Sequence, residues 1–204
     1  MEESIKPNAE IYSFEKGWWW DCLSTLVEEQ KQLTYAEKMG LNLWGFGPGM
    51  VHDLDGKSVL DIGGGPVSLL LKTIHRGKNC VVVDPIEYPQ WTVERYKEGN
   101  IKYIQSPGEN ILNIQEITSN SYDEVWIYNV LQHTIDPEKI INNAKTLSKC
   151  IRIFEWIDIP AHEGHPQELK QHLLDLWLEG EGSTELLTQD NLHGKSYYGI
   201  FKYD

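Results

Sequence analysis

The chain has 204 residues, of which 40% are hydrophobic, 24% charged and 11% aromatic, and its formal net charge is −13. This mixture is typical of a folded domain and excludes a disordered chain, and the length predicts one domain with a small appendage. The acidic charge argues against proteins that bind nucleic acid or anionic lipid through a basic face. Three widely separated cysteines exclude a C-x-x-C zinc or redox motif: Cys22, Cys80 and Cys150.

The N-terminus and the apolar runs of the sequence indicate where the protein works. The first residues are acidic and lack the apolar run of a signal peptide. No apolar run approaches the roughly 18 residues that a membrane span needs. We therefore expect a cytoplasmic protein with no membrane partner.

Residues 1–50 are predicted to form a helical cap on a larger domain. Apolar residues there recur at helical spacing: Trp19, Trp20, Leu23, Leu26 and Val27. Thr34 and Glu37 form a capping-box pattern, and Gly40 suits the end of a helix. The glycine-rich stretch 45–49 cannot hold a helix and predicts a linker.

Residues 51–204 alternate between short apolar runs and helical segments. Five strands are predicted, at 58–62, 80–84, 101–105, 122–129 and 150–157. Helices are predicted at 67–74, 89–98, 109–117, 136–148 and 166–178. The last two segments, 184–192 and 196–203, flank His193-Gly194-Lys195 and predict a hairpin. Strands that alternate with helices predict an α/β fold with a doubly wound parallel sheet, to which the hairpin adds antiparallel strands.

The first predicted strand ends in Gly63-Gly64-Gly65, and Pro66 then stands at the first position of the predicted helix. Glycine lets the backbone approach a ligand closely, and the start of a helix directs N–H groups at negative charge. Asp61 places a carboxylate near the same turn. A turn that offers both an acid and amide donors suits a zwitterion such as an amino acid.

Asp84 ends the second predicted strand, 19 residues after Gly65. Because ligands of such sheets lie at the carboxyl ends of the strands, we expect Asp84 beside the glycine turn. A carboxylate there can accept hydrogen bonds from both hydroxyls of a ribose, which predicts a nucleoside ligand. The alternative is purely structural, with a tight turn and a helix cap. A dinucleotide ligand fits the sequence less well, because Ser68 stands where the dinucleotide-binding motif needs its third glycine.

Several segments resemble the motifs of the class I S-adenosylmethionine-dependent methyltransferases that act on small molecules. Residues 59–66 resemble their first motif, and Asp84 resembles their ribose-binding acid. Residues 101–110 resemble their adenine segment, and residues 122–137 resemble the motif that follows their fourth strand. The resemblance covers residues 57–204 and implies a Rossmann-like fold with a C-terminal antiparallel hairpin and an N-terminal helical cap.

The resemblance implies an enzyme that transfers the methyl group of S-adenosyl-L-methionine to an oxygen or nitrogen of a small-molecule acceptor. The implied cofactor-binding residues are Asp61, Gly63, Gly64, Gly65, Asp84, Ile86, Gly108, Glu109 and Asn129. Asp61 and the glycine turn would hold the methionine end, Asp84 the ribose and Ile86 the adenine. The chain departs from the family pattern at Val67, which replaces a third glycine, and at Pro107, which replaces an adenine-contacting acid.

The acceptor side of the predicted site is expected to carry histidines and aromatic residues. His133 follows the fourth strand and is the candidate catalytic base, because imidazole titrates near neutral pH; the alternative for it is a packing role. Trp19, in the cap, and His165 are candidate substrate-binding residues. No metal site is expected, because the spacing within residues 162–165 is one residue short of H-E-x-x-H.

Two other functions stay open at this point. One is an NAD-dependent oxidoreductase that binds its cofactor at the same turn, and the other is a non-catalytic nucleoside-binding relative of the methyltransferase fold. The chain keeps the acids and glycines of the predicted site, which argues against a relative that has lost this site: Asp61, Gly63, Gly65 and Asp84.

Overall fold

The computed structural model describes residues 12, 13, 16, 17, 19, 22–44, 51–189 and 192–204. The strands in them are β1 (Leu43–Trp44), β2 (Val51–Asp53), β3 (Val59–Ile62), β4 (Thr73–Ile74), β5 (Val81–Asp84), β6 (Lys102–Gln105), β7 (Glu124–Tyr128), β8 (Cys150–Ile157), β9 (Ser183–Gln189) and β10 (Leu192–Lys202). The α-helices are α1 (Cys22–Lys38), α2 (Gln90–Glu98), α3 (Gln115–Thr118), α4 (Pro137–Leu147) and α5 (Gln171–Leu178). Short 3-10 helices lie at Gly65–Val67, Leu69–Lys72, Gly108–Asn113 and Leu131–His133.

Seven strands form one sheet in the order β6-β5-β3-β7-β8-β10-β9. The first five strands in this order run parallel to one another. Strand β10 runs antiparallel to both β8 and β9. The predicted parallel sheet with a C-terminal antiparallel hairpin is therefore confirmed. Strands β1, β2 and β4 form a separate small sheet.

Both faces of the large sheet are covered, which explains why its central strands are mostly apolar. On one face, Leu60 and Ile127 pack in a cluster with residues of α4 and α5. On the other face, Trp126 and Phe154 pack in a cluster with residues of α1 and α2. Among the described residues, no helix is both long enough and apolar enough to span a membrane.

The predicted helix 67–74 is wrong, because two short 3-10 helices and strand β4 occupy this segment. Ser68 adopts an extended conformation with ψ 142° and separates the two 3-10 helices. The Ser68 N–H donates to the hydroxyl of Tyr96 at 3.2 Å, and the Leu69 N–H donates to the hydroxyl of Tyr128 at 3.0 Å. Side-chain hydroxyls from α2 and β7 thus replace the backbone partners that an α-helix would supply.

The N-terminal prediction is confirmed in part. Helix α1 ends at the predicted place, where Gly40 adopts a left-handed conformation with φ +70° that favours glycine. Thr34 and Glu37 lie inside α1, so the capping-box prediction is wrong. Trp20 and the predicted linker 45–49 lie outside the described residues.

The later elements follow the prediction with shifted boundaries. Asp136 caps α4 as predicted, because its carboxylate accepts a hydrogen bond from the Lys139 N–H at 2.9 Å. The helix predicted at 166–178 begins only at Gln171, so Pro166 is not its first residue. The segment predicted as one helix at 109–117 divides into a 3-10 helix and α3. His193, Gly194 and Lys195 belong to β10, so the turn predicted at these residues is wrong.

Candidate functional site

The carboxyl ends of β3, β5 and β7 open into a cavity of about 380 Å³. A cavity of this size is within the range that small ligands and cofactors occupy. Residues at the strand ends, residues 107–109, parts of the N-terminal segment and four of the seven histidines line it: His133, His162, His165 and His193. The structure therefore brings together the strand-end residues and the histidines that the sequence singled out.

Asp84 lines the cavity at the end of β5, although only 5% of its surface is exposed. Its Oδ2 accepts a hydrogen bond from the Gly65 N–H at 3.1 Å. Its Oδ1 accepts from the Ile86 N–H at 3.0 Å and from the Tyr88 hydroxyl at 3.1 Å. The carboxylate is thus held in one orientation by donors from the glycine turn and from the segment that follows β5.

The glycine turn has the conformation that its composition predicts. Gly63 and Gly65 have φ values of +77° and +63°, in the left-handed region that favours glycine. A Cβ on Gly63 would lie 2.4 Å from the Val130 side chain, so the turn also packs too tightly for a larger residue. The Gly63 N–H donates to the Val83 carbonyl and the Gly65 N–H donates to Asp84. The amides of these two glycines are therefore paired within the protein, which corrects the prediction of free amides at a helix start.

Gly64 and Gly65 do not line the cavity. Asp61 lies beneath the turn and does not line the cavity either. Its Oδ2 accepts hydrogen bonds from the Ser68 hydroxyl and, at 2.6 Å, from the Tyr128 hydroxyl. Its Oδ1 is buried without a hydrogen-bond partner among the described residues. Burial raises the pKa of Asp61 to about 7, against the effect of these two donors.

This raised pKa gives a testable dependence of stability on pH. The folded protein holds a proton on Asp61 between about pH 4 and pH 7, where the unfolded chain has lost it, so the free energy of unfolding falls as the pH rises through this window. The full effect is on the order of 4 kcal/mol. We expect Asp61→Asn, which cannot ionise, to show a flatter decline in urea unfolding measured from pH 4 to pH 8. Equal slopes for the two proteins would contradict the assignment.

The predicted adenine side of the site lines the same cavity. Ile86, Pro107, Gly108 and Glu109 all contribute to its wall. The Glu109 carboxylate accepts hydrogen bonds from the backbone N–H groups of Ile135 and Asp136, at 3.0 and 3.3 Å. Glu109 therefore connects the adenine side to the loop before α4.

Asn129 and His133 lie together after β7, as predicted, and both line the cavity. Asn129 adopts a left-handed conformation with φ +55°, and its amide contacts both Glu28 and Gln132. Nδ1 of His133 lies 2.8 Å from the Gly164 carbonyl oxygen. Because a carbonyl only accepts, this contact places a proton on Nδ1.

The segment 162–165 folds against His133. His162 and His165 pair through two backbone hydrogen bonds, and the ring of His165 lies 4.4 Å from that of His133 between centroids. Burial, together with the neighbouring imidazoles, lowers the pKa of His165 to about 3, so this ring is neutral at neutral pH. Among the described residues, no group of three or more metal-binding side chains is arranged to hold an ion.

Three features of the site could not be predicted from the motifs. Helix α1 contributes Glu28 and Lys31 to the cavity wall, and Tyr12 lines it as well, in addition to the predicted Trp19. Glu155, in β8, is fully buried and accepts hydrogen bonds from the N–H groups of two residues after β7, at 3.0 to 3.2 Å. The sequence did give one signal for Glu155, since it is a glutamate within a predicted strand that is mostly apolar. Tyr12, Glu28 and Lys31 gave no signal, because the rest of the cavity wall is far away from them in sequence.

Comparison with known proteins shows what the region around this cavity is similar to. A family model described as a methyltransferase domain matches residues 60–149. The ubiquinone biosynthesis O-methyltransferase of Acinetobacter baylyi is 32% identical over 100 residues, which are 47% of this chain and 41% of that protein. The match therefore spans about two fifths of the length of this curated relative.

Solved structures share the fold over most of the chain. The 1,6-didemethyltoxoflavin-N1-methyltransferase of Burkholderia thailandensis has a TM-score of 0.61 at 13% identity and covers 95% of this chain and 87% of its own. The plantazolicin methyltransferase BamL has a TM-score of 0.52 at 14% identity, with 97% of each chain covered. Both were crystallised with S-adenosylhomocysteine. The family match and the shared fold therefore make residues 60–149 similar to a methyltransferase domain with a Rossmann-like fold.

Proposed function

We propose that this protein transfers the methyl group of S-adenosyl-L-methionine to an oxygen or nitrogen of a small-molecule acceptor. The observation that carries the proposal is Asp84, held at the end of β5 and facing a cavity that the glycine turn also lines. When bound, S-adenosylmethionine supplies a methyl group on a positively charged sulfur. Relatives of this fold were crystallised with its product, S-adenosylhomocysteine.

The residues present fit such a cofactor. The fixed carboxylate of Asp84 would accept hydrogen bonds from the ribose hydroxyls, and Ile86, Gly108 and Glu109 would surround the adenine. Gly63 and Asn129 would lie at the methionine end, since both line the cavity at neighbouring strand ends. Asp61 would act on this end through the turn above it, because it is not itself exposed to the cavity.

The acceptor end favours a molecule that donates hydrogen bonds. Gln132 Oε1 is a buried acceptor and His165 Nδ1 a buried ring nitrogen, both without a partner among the described residues, and both residues line the cavity. Buried polar atoms are normally paired, so a bound hydroxyl or amine would satisfy them. His133, whose Nδ1 carries a proton, would accept the proton of the acceptor on Nε2, where the acceptor would replace the N–H of Gln132, as the methyl group leaves the sulfur for the acceptor.

The N-terminal segment would act as a cap over this site, with residues 51–204 as the catalytic domain. Its residues Tyr12, Trp19 and Glu28 line the cavity, and a Cβ on Gly65 would lie 3.1 Å from the Trp19 ring. Trp19 would therefore cover the cofactor turn, while Glu28 reaches the acceptor end.

Isothermal titration with S-adenosylhomocysteine tests the proposal, and the same titration with NADH tests the oxidoreductase alternative. We expect binding of S-adenosylhomocysteine at micromolar concentration and no heat signal with NADH. Turnover of S-adenosylmethionine in a screen of hydroxyl- and amine-bearing metabolites would then separate an enzyme from a non-catalytic relative. Binding of NADH without S-adenosylhomocysteine would overturn the proposal.

A further inference from the structure

A chain of hydrogen bonds runs through the cavity wall from the cap to His133. Glu28 Oε1 accepts from Asn129 Nδ2 at 3.2 Å, and Asn129 Oδ1 accepts from Gln132 Nε2 at 2.8 Å. Gln132 Nε2 in turn lies 3.3 Å from Nε2 of His133. All four residues line the cavity, and the chain ends at the contact between His133 Nδ1 and the Gly164 carbonyl.

At each end of this series of hydrogen bonds, the donor and the acceptor are fixed. The two ends therefore determine the direction of every bond between them. An ionised carboxylate only accepts, so Glu28 requires the NH₂ group of Asn129 on its side. The Asn129 oxygen then faces Gln132 and requires the NH₂ group of that residue. The same NH₂ group faces His133, so Nε2 of His133 must accept, which agrees with the proton that Gly164 requires on Nδ1.

We propose that Glu28 is a positioning residue that holds His133 in the tautomer with a basic Nε2, through Asn129 and Gln132. This inference rests on the proposed function, in which Nε2 of His133 receives the proton of the acceptor. It makes α1 part of the catalytic machinery: the base is set correctly when the cap brings its carboxylate to Asn129. Glu28 is suited to this role because only 4% of its surface is exposed and its second oxygen is 3.3 Å from Lys31 Nζ.

Removing the charge of Glu28 would allow this series of hydrogen bonds to run in either direction. In Glu28→Gln, the new amide can donate to Asn129, so both Asn129 and Gln132 can reverse their amide groups. A reversed Gln132 presents its oxygen to His133 and favours a proton on Nε2. The wrong tautomer cannot accept the proton of a substrate at that nitrogen.

Nitrogen NMR of ¹⁵N-histidine-labelled protein measures this tautomer without an acceptor molecule. The His133 signals are assigned by their loss in His133→Gln. In the wild type we expect a protonated Nδ1 and an unprotonated Nε2. In Glu28→Gln we expect the Nε2-protonated tautomer to appear as a measurable minority, because the amide groups can then run in either direction while the Gly164 carbonyl still favours a proton on Nδ1.

Glu29→Gln is the matched control, because Glu29 is the next residue of α1 and pairs with Lys72 at 2.9 Å outside the cavity wall. It should leave the His133 signals unchanged. Gln132→Glu is a second variant that acts next to the ring: its carboxylate can only accept, so Nε2 should become protonated. This variant decides the matter if Glu28→Gln does not fold.

The proposal is overturned if wild-type His133 carries its proton on Nε2, or if folded Glu28→Gln and Gln132→Glu keep the wild-type tautomer. Titration with S-adenosylhomocysteine, run on the same samples, tests the proposed function separately. Loss of cofactor binding in the wild type would contradict the proposed function, whereas an unexpected tautomer with normal binding would contradict only the role of Glu28.

Discussion

Replacing Asp84 with alanine is expected to weaken the binding of S-adenosylhomocysteine by at least about 100-fold, because two hydrogen bonds to a charged acceptor each contribute roughly 1.5 to 3 kcal/mol. The loss has a second cause. The N–H groups of Gly65 and Ile86 would lose their common acceptor, so both turns around the ligand would lose their fixed geometry. Isothermal titration calorimetry measures the affinity directly.

Asp158→Ala is the control for this prediction. Asp158 directly follows β8, as Asp84 ends β5, but it pairs with Lys170 and Lys195 and does not line the main cavity. The control should bind S-adenosylhomocysteine as the wild type does. If Asp84→Ala binds as tightly as Asp158→Ala, the cofactor does not use Asp84 and the proposed site is wrong.

Replacing Glu155 with alanine is expected to lower the free energy of unfolding by about 3 to 5 kcal/mol, since buried N–H groups left without an acceptor cost roughly 1 to 3 kcal/mol each. The two groups belong to Val130 and Leu131, and the lost side chain adds a cavity. Urea unfolding followed by circular dichroism gives the value. The same loop carries Asn129 and His133, so the loss should also reach the acceptor end of the site.

Glu155→Gln separates the hydrogen bonds from the charge. Its remaining oxygen can still accept from both N–H groups, so we expect less than half of the loss seen with alanine. Burial raises the pKa of Glu155 to about 7, partly offset by these donors and by His133. Glu185→Ala, at an exposed glutamate of β9, serves as the control and should change stability little. A small loss in Glu155→Ala would show that the loop is held by other contacts.

The sequence was sufficient to predict the strands of the large sheet and the position of Asp84, because these depend on local patterns. The run at 80–84 is β-branched and ends in an acid, and parallel strands bring their carboxyl ends together. The helix expected after the glycine turn does not form because hydroxyls of Tyr96 and Tyr128, from other elements, accept its backbone N–H groups. No local pattern contains those partners.

The contacts of the N-terminal cap could not be predicted from local patterns either. Glu28 contacts Asn129 across 101 positions of sequence, so a glutamate on a predicted helix gave no sign of a place in the cavity wall. His165 was predicted near the acceptor, and the structure places both His165 and His162 at the cavity. Their mutual arrangement depends on a short loop closed by two backbone hydrogen bonds.

The short 3-10 helices after β3 change the electrostatics at the edge of the sheet. A long helix starting at Gly65 would have directed the positive end of its dipole at the ligand. The segment is instead interrupted at Ser68, and the amides of Gly63 and Gly65 are paired internally. A ligand carboxylate placed at this edge would therefore meet little of the field of a helix dipole, so added salt should change its binding only slightly.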